Sequence, residues 1–219
     1  MSLKPLQEPM QTTPAHTPVD TPVDSAAVRA RVLEIIVRCL DCKPTSLSMN
    51  SSLWGELGAE SLDMLDIVYS LERAFVIRLP RLNLFQRASN LFGAESVVVN
   101  GVITPVGLEL MRRSMPEVRA EAFHPNMRIQ ELRQLVTVES FARIVLRCLA
   151  AKAALRCRLC GGLPAPVPDS PMELACAECG GSIDLPSGEE LMMGDLVRIG
   201  GELGLTQAAA RESVQGAPA

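Results

Sequence analysis

Aromatic residues are scarce: Phe, Trp and Tyr make up 3% of the 219 residues, with a single Trp and a single Tyr. So little ring surface excludes the stacking platform that binds single-stranded nucleic acid. Cationic excess is lacking as well, because 21 Lys and Arg face 25 Asp and Glu for a net charge of −4. Nothing is left over to neutralise a phosphate backbone, so no nucleic-acid partner is expected and basic proteins are. Histidine is limited to His16 and His124, a poor supply for chemistry that uses imidazole as general base. No apolar run approaches the roughly 20 residues that span a bilayer, so no membrane span is expected. Lys4-Pro5 leads into no signal-peptide core. The expectation is a soluble, cytoplasmic chain.

Proline crowds the start of the sequence. Residues 1–24 hold Pro5, Pro9, Pro14, Pro18 and Pro22, with Thr-Pro-Val-Asp in tandem at 17–20 and 21–24, and almost no large apolar side chains. Such a segment buries too little to offset its ordering entropy, and a disordered leader is predicted. From Ser25, read as an N-cap, Val28, Val32, Ile35, Ile36, Cys39 and Leu40 recur at helical spacing and predict a first helix to about Leu40. Residues 41–60 read as a long loop with Pro44, Gly55 and Gly58, pinned by Leu47, Leu53, Trp54 and Leu57. A second helix is predicted from Ser61 to Phe75, turning Met64, Ile67 or Val68, Leu71 and Phe75 inward.

Beyond it the pattern is less regular. Asn100-Gly101 between Val97-Val98-Val99 and Val102-Ile103 is the signature of a type I′ hairpin. Thr104 as N-cap and Pro105 at the first helical position open a helix to about Ser114, which Pro116 stops. A further helix is predicted from about Thr137 to Ala154 on the stripe Val138, Phe141, Ile144, Val145, Leu146 and Leu149, and a weak one over 189–205 before a loose ending. The chain thus divides into a leader (1–24), a helical domain (25–152) with an inserted hairpin and helix segment (about 81–134), a cysteine-bearing module (153–186) and a tail (187–219).

The most informative run is Leu57-Gly58-Ala59-Glu60-Ser61-Leu62-Asp63-Met64-Leu65-Asp66. Ser61 lies where the long loop becomes a helix, and unpaired N–H groups with the positive end of the helix dipole favour an anion there. The position suits a hydroxyl that carries a phosphate. Glu56, Glu60, Asp63, Asp66 and Glu72 surround it with no Lys or Arg before Arg73. Leu62, Leu65 and Tyr69 form a stripe distinct from the core face, so an acidic rim around an apolar stripe offers basic partners a docking surface. A serine hydrolase does not fit, since Gly-Ala-Glu-Ser-Leu lacks the Gly-x-Ser-x-Gly elbow.

These residues resemble the acyl carrier protein family, whose signature is a Leu-Gly-x-Asp-Ser-Leu run leading into an acidic helix. The resemblance covers residues 25–80, with Leu71-Glu72-x-x-Phe75 closing the helix, and extends to residues 135–149 as the family's last helix. It implies a small helical bundle in a mainly α fold. It implies that Ser61 carries 4′-phosphopantetheine through a phosphodiester, with acyl groups held as thioesters on the arm's thiol, for fatty-acid, lipid or polyketide-type assembly. The implied partners are a phosphopantetheinyl transferase and acyl-transferring and chain-elongating enzymes, and the chain itself is a carrier without enzyme activity. Two departures stand out: Glu60 replaces the family's usual Asp, and residues 81–134 far exceed the usual third-helix region.

Seven cysteines form an odd set, and four fall into two knuckles, Cys157-x-x-Cys160-Gly161-Gly162 and Cys176-x-x-Cys179-Gly180-Gly181. Each CxxC turns two thiolates toward one point, and the glycines free the backbone to donate to sulfur. The spacing resembles zinc ribbons over about 155–185, with Cys157, Cys160, Cys176 and Cys179 as ligands of one Zn²⁺. Iron held as in rubredoxin, or two disulfides, are the alternatives. A third CxxC, Cys39-Leu40-Asp41-Cys42, lacks the βαβ context of a redox motif, and Cys39 and Cys148 read as buried small hydrophobes. The alternative to a carrier is a zinc-ribbon adaptor whose bundle is not modified.

Overall fold

The structure, a computed structural model, describes residues 24–81 and 84–207. The predicted leader lies outside the described residues except for Asp24, as does the end of the predicted tail. The fold is mainly α with a small cysteine-bearing sheet. Among the described residues no helix is long and apolar enough to cross a membrane.

Three helices form the first core. α1 (Ser25–Cys39) buries Val28, Val32, Ile35 and Ile36. Its N-cap is Asp24 rather than Ser25: the Asp24 carboxylate accepts the N–H groups of Ala26 at 3.0 Å and Ala27 at 3.3 Å. A carboxylate there answers both the orphan amides and the helix dipole, so it displaces a neighbouring serine as cap. α2 (Ser61–Phe75) buries Ile67 and Leu71, while Met64, Val68 and Phe75 are half-buried at its edges. The third helix, α7 (Val138–Ala153), buries Val138, Ala142, Val145 and Cys148. Thr137 caps it, accepting the Ser140 N–H at 3.3 Å. Arg29 of α1 grips Glu139 of α7 through two nitrogens, at 2.9 and 2.7 Å.

The loop from 41 to 60, whose one regular piece is a 3-10 turn at Pro44–Ser46, is tied to the start of α7, which keeps it ordered. Leu53 N–H donates to the Val136 carbonyl at 3.1 Å, Val138 N–H to Ser51 at 3.2 Å and Glu139 N–H to Met49 at 2.8 Å. The buried Ser52 hydroxyl donates to the Gln134 carbonyl at 2.6 Å. Leu47 and Leu53 then drop into the core between α1, α2 and α7.

The inserted region builds a second core. It contains α3 (Leu84–Phe92), α4 (Ala94–Val97), the hairpin β1 (Val98–Val99) and β2 (Val102–Ile103), α5 (Pro105–Ser114) and α6 (Ile129–Gln134). The predicted hairpin is present, with Asn100 at φ 53° and Gly101 at φ 76°, the pair of left-handed residues a type I′ turn needs. The Thr104 hydroxyl accepts the Gly107 N–H at 3.0 Å and donates to the Ser96 carbonyl at 2.7 Å, fastening α5 to α4. α3, α4 and α6 are not among the predicted elements: α4 and α6 are too short to show a period, whereas α3 carries Leu84, Phe85, Ala88, Leu91 and Phe92 at helical spacing and is legible in the sequence.

After α7 the chain forms a three-stranded antiparallel sheet, ordered β3 (Pro164–Val167), β4 (Ser170–Cys176), β5 (Ser182–Ile183). It then returns as α8 (Gly188–Glu202), capped by Ser187, which accepts the Glu190 N–H at 3.2 Å. The weak helix expected over 189–205 is therefore a full 15-residue element. Its Leu196 and Ile199 complete the second core, alongside Phe92, Val97, Leu110, Met111 and Met127.

Candidate prosthetic-group and metal sites

Ser61 is the first residue of α2 and is exposed. The approach to it is shaped by Gly58, at φ +64°, where a side chain would be strained, and by Ala59, whose N–H donates to the Leu53 carbonyl at 2.9 Å. Glu60 stands just before the helix in extended conformation, and its N–H donates to the Asp63 carboxylate at 2.7 Å. The acid at 63 is therefore engaged in capping, and the serine hydroxyl projects from the positive end of a 15-residue helix.

Along the same helix Leu62, Leu65 and Tyr69 are 76%, 58% and 55% exposed, the apolar stripe expected from the spacing. Glu60 and Asp66 are exposed beside it and Asp63 is half-buried. Arg73 reaches back to the Tyr69 hydroxyl at 2.8 Å, with its guanidinium carbon 5.5 Å from the ring centre. Glu72 departs from expectation. It is only 6% exposed, and its carboxylate accepts the Leu79 N–H at 2.8 Å and the Arg81 guanidinium at 2.9 Å. By helical spacing Glu72 shares a face with Leu65, two turns away. The chain leaving α2 bends through Val76 in left-handed conformation, φ 52°, and folds Ile77 and Leu79 back against the core, covering that face at its C-terminal end alone. Glu72 is thus a buried structural acid, set apart from the exposed Glu60 and Asp66.

The second site is the cysteine cluster. The sulfur atoms of Cys157, Cys160, Cys176 and Cys179 all lie within 4.8 Å of one another. The knuckles repeat one design. Cys157 N–H donates to the Gly162 carbonyl and Gly161 N–H to the Cys157 carbonyl, both at 2.9 Å; Cys176 and Gly180 do the same at 2.8 and 2.9 Å. Gly161 and Gly180 sit at φ +79° and +71°, where other residues are strained. A Cβ on Gly162 would stand 2.7 Å from the Cys176 sulfur, so the glycine lets the opposite knuckle close in.

Electrostatics favour a cation among these sulfurs. The N–H groups of Leu159 and Cys160 bring the Cys157 thiol down to about 7. The N–H groups of Cys179 and Glu178 lower Cys176 in the same way. Cys160 moves oppositely: the Gly162 N–H acts to lower it, but the crowded sulfurs of Cys176 and Cys179 outweigh this and push it up to about 12. Cys179 is raised despite the Gly181 N–H, chiefly by the sulfur of Cys157. Backbone donors favour the thiolate at two of these cysteines while crowding opposes it at the other two, a conflict that a bound cation relieves. The four sulfurs, their backbone donors and their separations fit a metal ion held by cysteines alone.

The other chemistry-bearing residues stay apart. Cys148 is buried, its thiol pushed up to about 11 by burial and donating to the Arg78 carbonyl at 3.7 Å. Cys39 is half-buried and raised by burial. His124 is exposed, 3.3 Å from Glu131 and 3.1 Å from the Pro125 carbonyl oxygen.

Comparison with known proteins bears on the first site. The chain is 34% identical over 53 residues to an acyl carrier protein of Amoebophilus asiaticus, covering 24% of this chain and 66% of the relative. It is 35% identical over 54 residues to those of Campylobacter fetus and Campylobacter curvus, covering 25% of this chain and 70% of each relative. No family model and no solved structure matches it. Some three quarters of the sequence therefore has no counterpart in these matches. Identity at this level over most of a relative's length, together with the helix that Ser61 opens, places the chain in the acyl carrier protein family.

Proposed function

We propose that Ser61 carries 4′-phosphopantetheine and that acyl intermediates ride on its thiol as thioesters. One observation carries the reading: in a chain of this family, an exposed serine follows Leu57-Gly58-Ala59-Glu60 as the first residue of an acidic helix. In the modification the Ser61 Oγ bonds to the pantetheine-side phosphorus of the donor's pyrophosphate, the bridging P–O bond breaks, the nucleotide leaves as a phosphate monoester and the hydroxyl proton is released; the phosphodiester anion that remains is stabilised by the first-turn amides and the helix dipole. The arm supplies the thiol; the protein holds and presents it. Exposed Leu62, Leu65 and Tyr69 form the apolar contact for partner enzymes, and Glu60, Asp63 and Asp66 steer basic faces toward it. Those partners are a phosphopantetheinyl transferase and the acyl-transferring and chain-elongating enzymes of fatty-acid, lipid or polyketide-type synthesis.

In this reading residues 25–152 are the carrier domain with its insertion, and 153–186 a zinc ribbon in which Cys157, Cys160, Cys176 and Cys179 bind one Zn²⁺. Four thiolates leave no open position for catalysis, so the metal is structural. Free thiols of this kind suit a reducing, cytoplasmic setting. Intact mass after co-expression with a broad-specificity phosphopantetheinyl transferase tests the assignment. The expected result is one added phosphopantetheine on the wild type and none on Ser61→Ala. An unmodified wild type would leave the adaptor reading in its place.

A further inference from the structure

The ribbon is not a terminal appendage. Leu155, just after α7, and Leu185, just before α8, both pack on its small core of Cys157, Leu174, Cys176 and Ile183. A closed ribbon therefore brings the end of one helix to the start of the next. From there α8 docks at three places. At its N-terminus Gly188 N–H donates to the Arg78 carbonyl at 2.7 Å, and a Cβ on Gly188 would stand 2.7 Å from Pro80, so the approach is tight. Glu189 accepts the Arg81 N–H at 3.1 Å and pairs with Arg87. Further along, Arg147 of α7 holds Asp195 at 2.5 Å and donates to the Leu191 carbonyl at 3.1 Å. The helix ends under the Phe92 ring, where Gly200 leaves no space for a side chain, and its Leu196 and Ile199 fill the second core.

We propose that the metal-closed ribbon is a clasp that holds α8 in the second core, so that metal occupancy governs the integrity of the inserted region while leaving the Ser61 bundle intact. The inference rests on the reading of the four cysteines as a metal site. Its physical basis is loop closure. With the ribbon open, α8 is tethered by about 30 flexible residues, and closing such a loop is opposed by an entropy that grows as the logarithm of its length. With the ribbon closed, metal binding has already met that cost, and docking of α8 is favoured on the order of tenfold to a hundredfold. The second core has little to compensate with, because its remaining helices, apart from α5, are no longer than nine residues.

Hydrogen exchange on the full chain, with zinc content measured by elemental analysis before and after chelation, tests this. Zinc removal should speed exchange at least tenfold in α8, α3 and α5 and less than twofold in α1, α2 and α7. Linkage demands the reciprocal effect: Gly200→Leu, which forces α8 away from Phe92, should weaken zinc affinity by a similar factor in a competition titration. Bound zinc whose removal leaves α8 protected, or an affinity unmoved by Gly200→Leu, would overturn the clasp alone. A chain that binds no zinc in the first place would overturn the metal reading and the clasp with it.

Discussion

The two helical cores are built by opposite strategies. In the first, α1, the 41–60 loop, α2 and α7 meet around side chains whose spacing in sequence already displays one apolar face per helix. In the second, no single segment suffices: α3 to α6 supply short pieces, and α8 arrives from beyond the ribbon to finish the core with Leu196 and Ile199. The first core presents Ser61. The second depends on a contact that bridges 108 residues of chain, from Phe92 past α7 and the ribbon to Gly200 of α8. Under the proposed clasp, the bundle that bears Ser61 keeps its structure while the second region answers to metal occupancy.

The largest expected effects separate the cores by side-chain deletion. Ile67→Ala, at a fully buried position of α2, should cost about 2–5 kcal/mol in chemical denaturation and should lower protection throughout α1, α2 and α7. Phe92→Ala should cost about 3–5 kcal/mol, read out as lost protection in α3, α5 and α8 with the Ser61 bundle still modified. Equal loss in both regions from either change would mean one cooperative unit and would erase the distinction.

Next come two acids of α2 that look alike in sequence. Glu72→Lys places a cation where a buried carboxylate now meets the Leu79 N–H and Arg81, and should destabilise the fold by about 3–5 kcal/mol. Asp66→Lys, at an exposed position, should change stability by less than about 0.5 kcal/mol. It should instead slow transfer onto Ser61 and flatten the salt dependence of that rate. Thermal melts and initial transfer rates at two ionic strengths check both arms.

The smallest effect is a pH dependence confined to the second region. Arg112 and Arg113 beside Glu109 lower its carboxyl from 4.5 to about 2. Because the folded value is depressed, the stabilisation is complete above about pH 4.5 and is lost as pH falls through 2. Glu109 is partly open to water, so screening limits the contribution to less than about 1 kcal/mol. Glu109→Gln should remove this part of the acid transition of α5 and leave the first core's transition where it is.

What could be read from sequence follows the same division. The caps Thr104 and Thr137, the Asn100-Gly101 turn, the start and end of α2 and both cysteine knuckles are local signals, each written within a few residues. The burial of Glu72 is not legible in the sequence, because it depends on the chain at Ile77 and Leu79 folding back against α2, which no periodicity on α2 encodes. α8 looked weak because Gly194, Gly200 and Gly201 dilute its pattern; Gly200 makes sense only against the Phe92 ring. α6, at six residues, is too short to show a period at all.

Ser61 is the residue on which the proposed carrier function depends. Peptide mapping by mass spectrometry of the full chain, after incubation with a phosphopantetheinyl transferase and its pantetheinyl donor, should place a single phosphopantetheine on the peptide containing Ser61. The arm's thiol should then be available for acyl loading. A chain that stays unmodified with its first core shown folded by hydrogen exchange, or one modified at another residue, would contradict it.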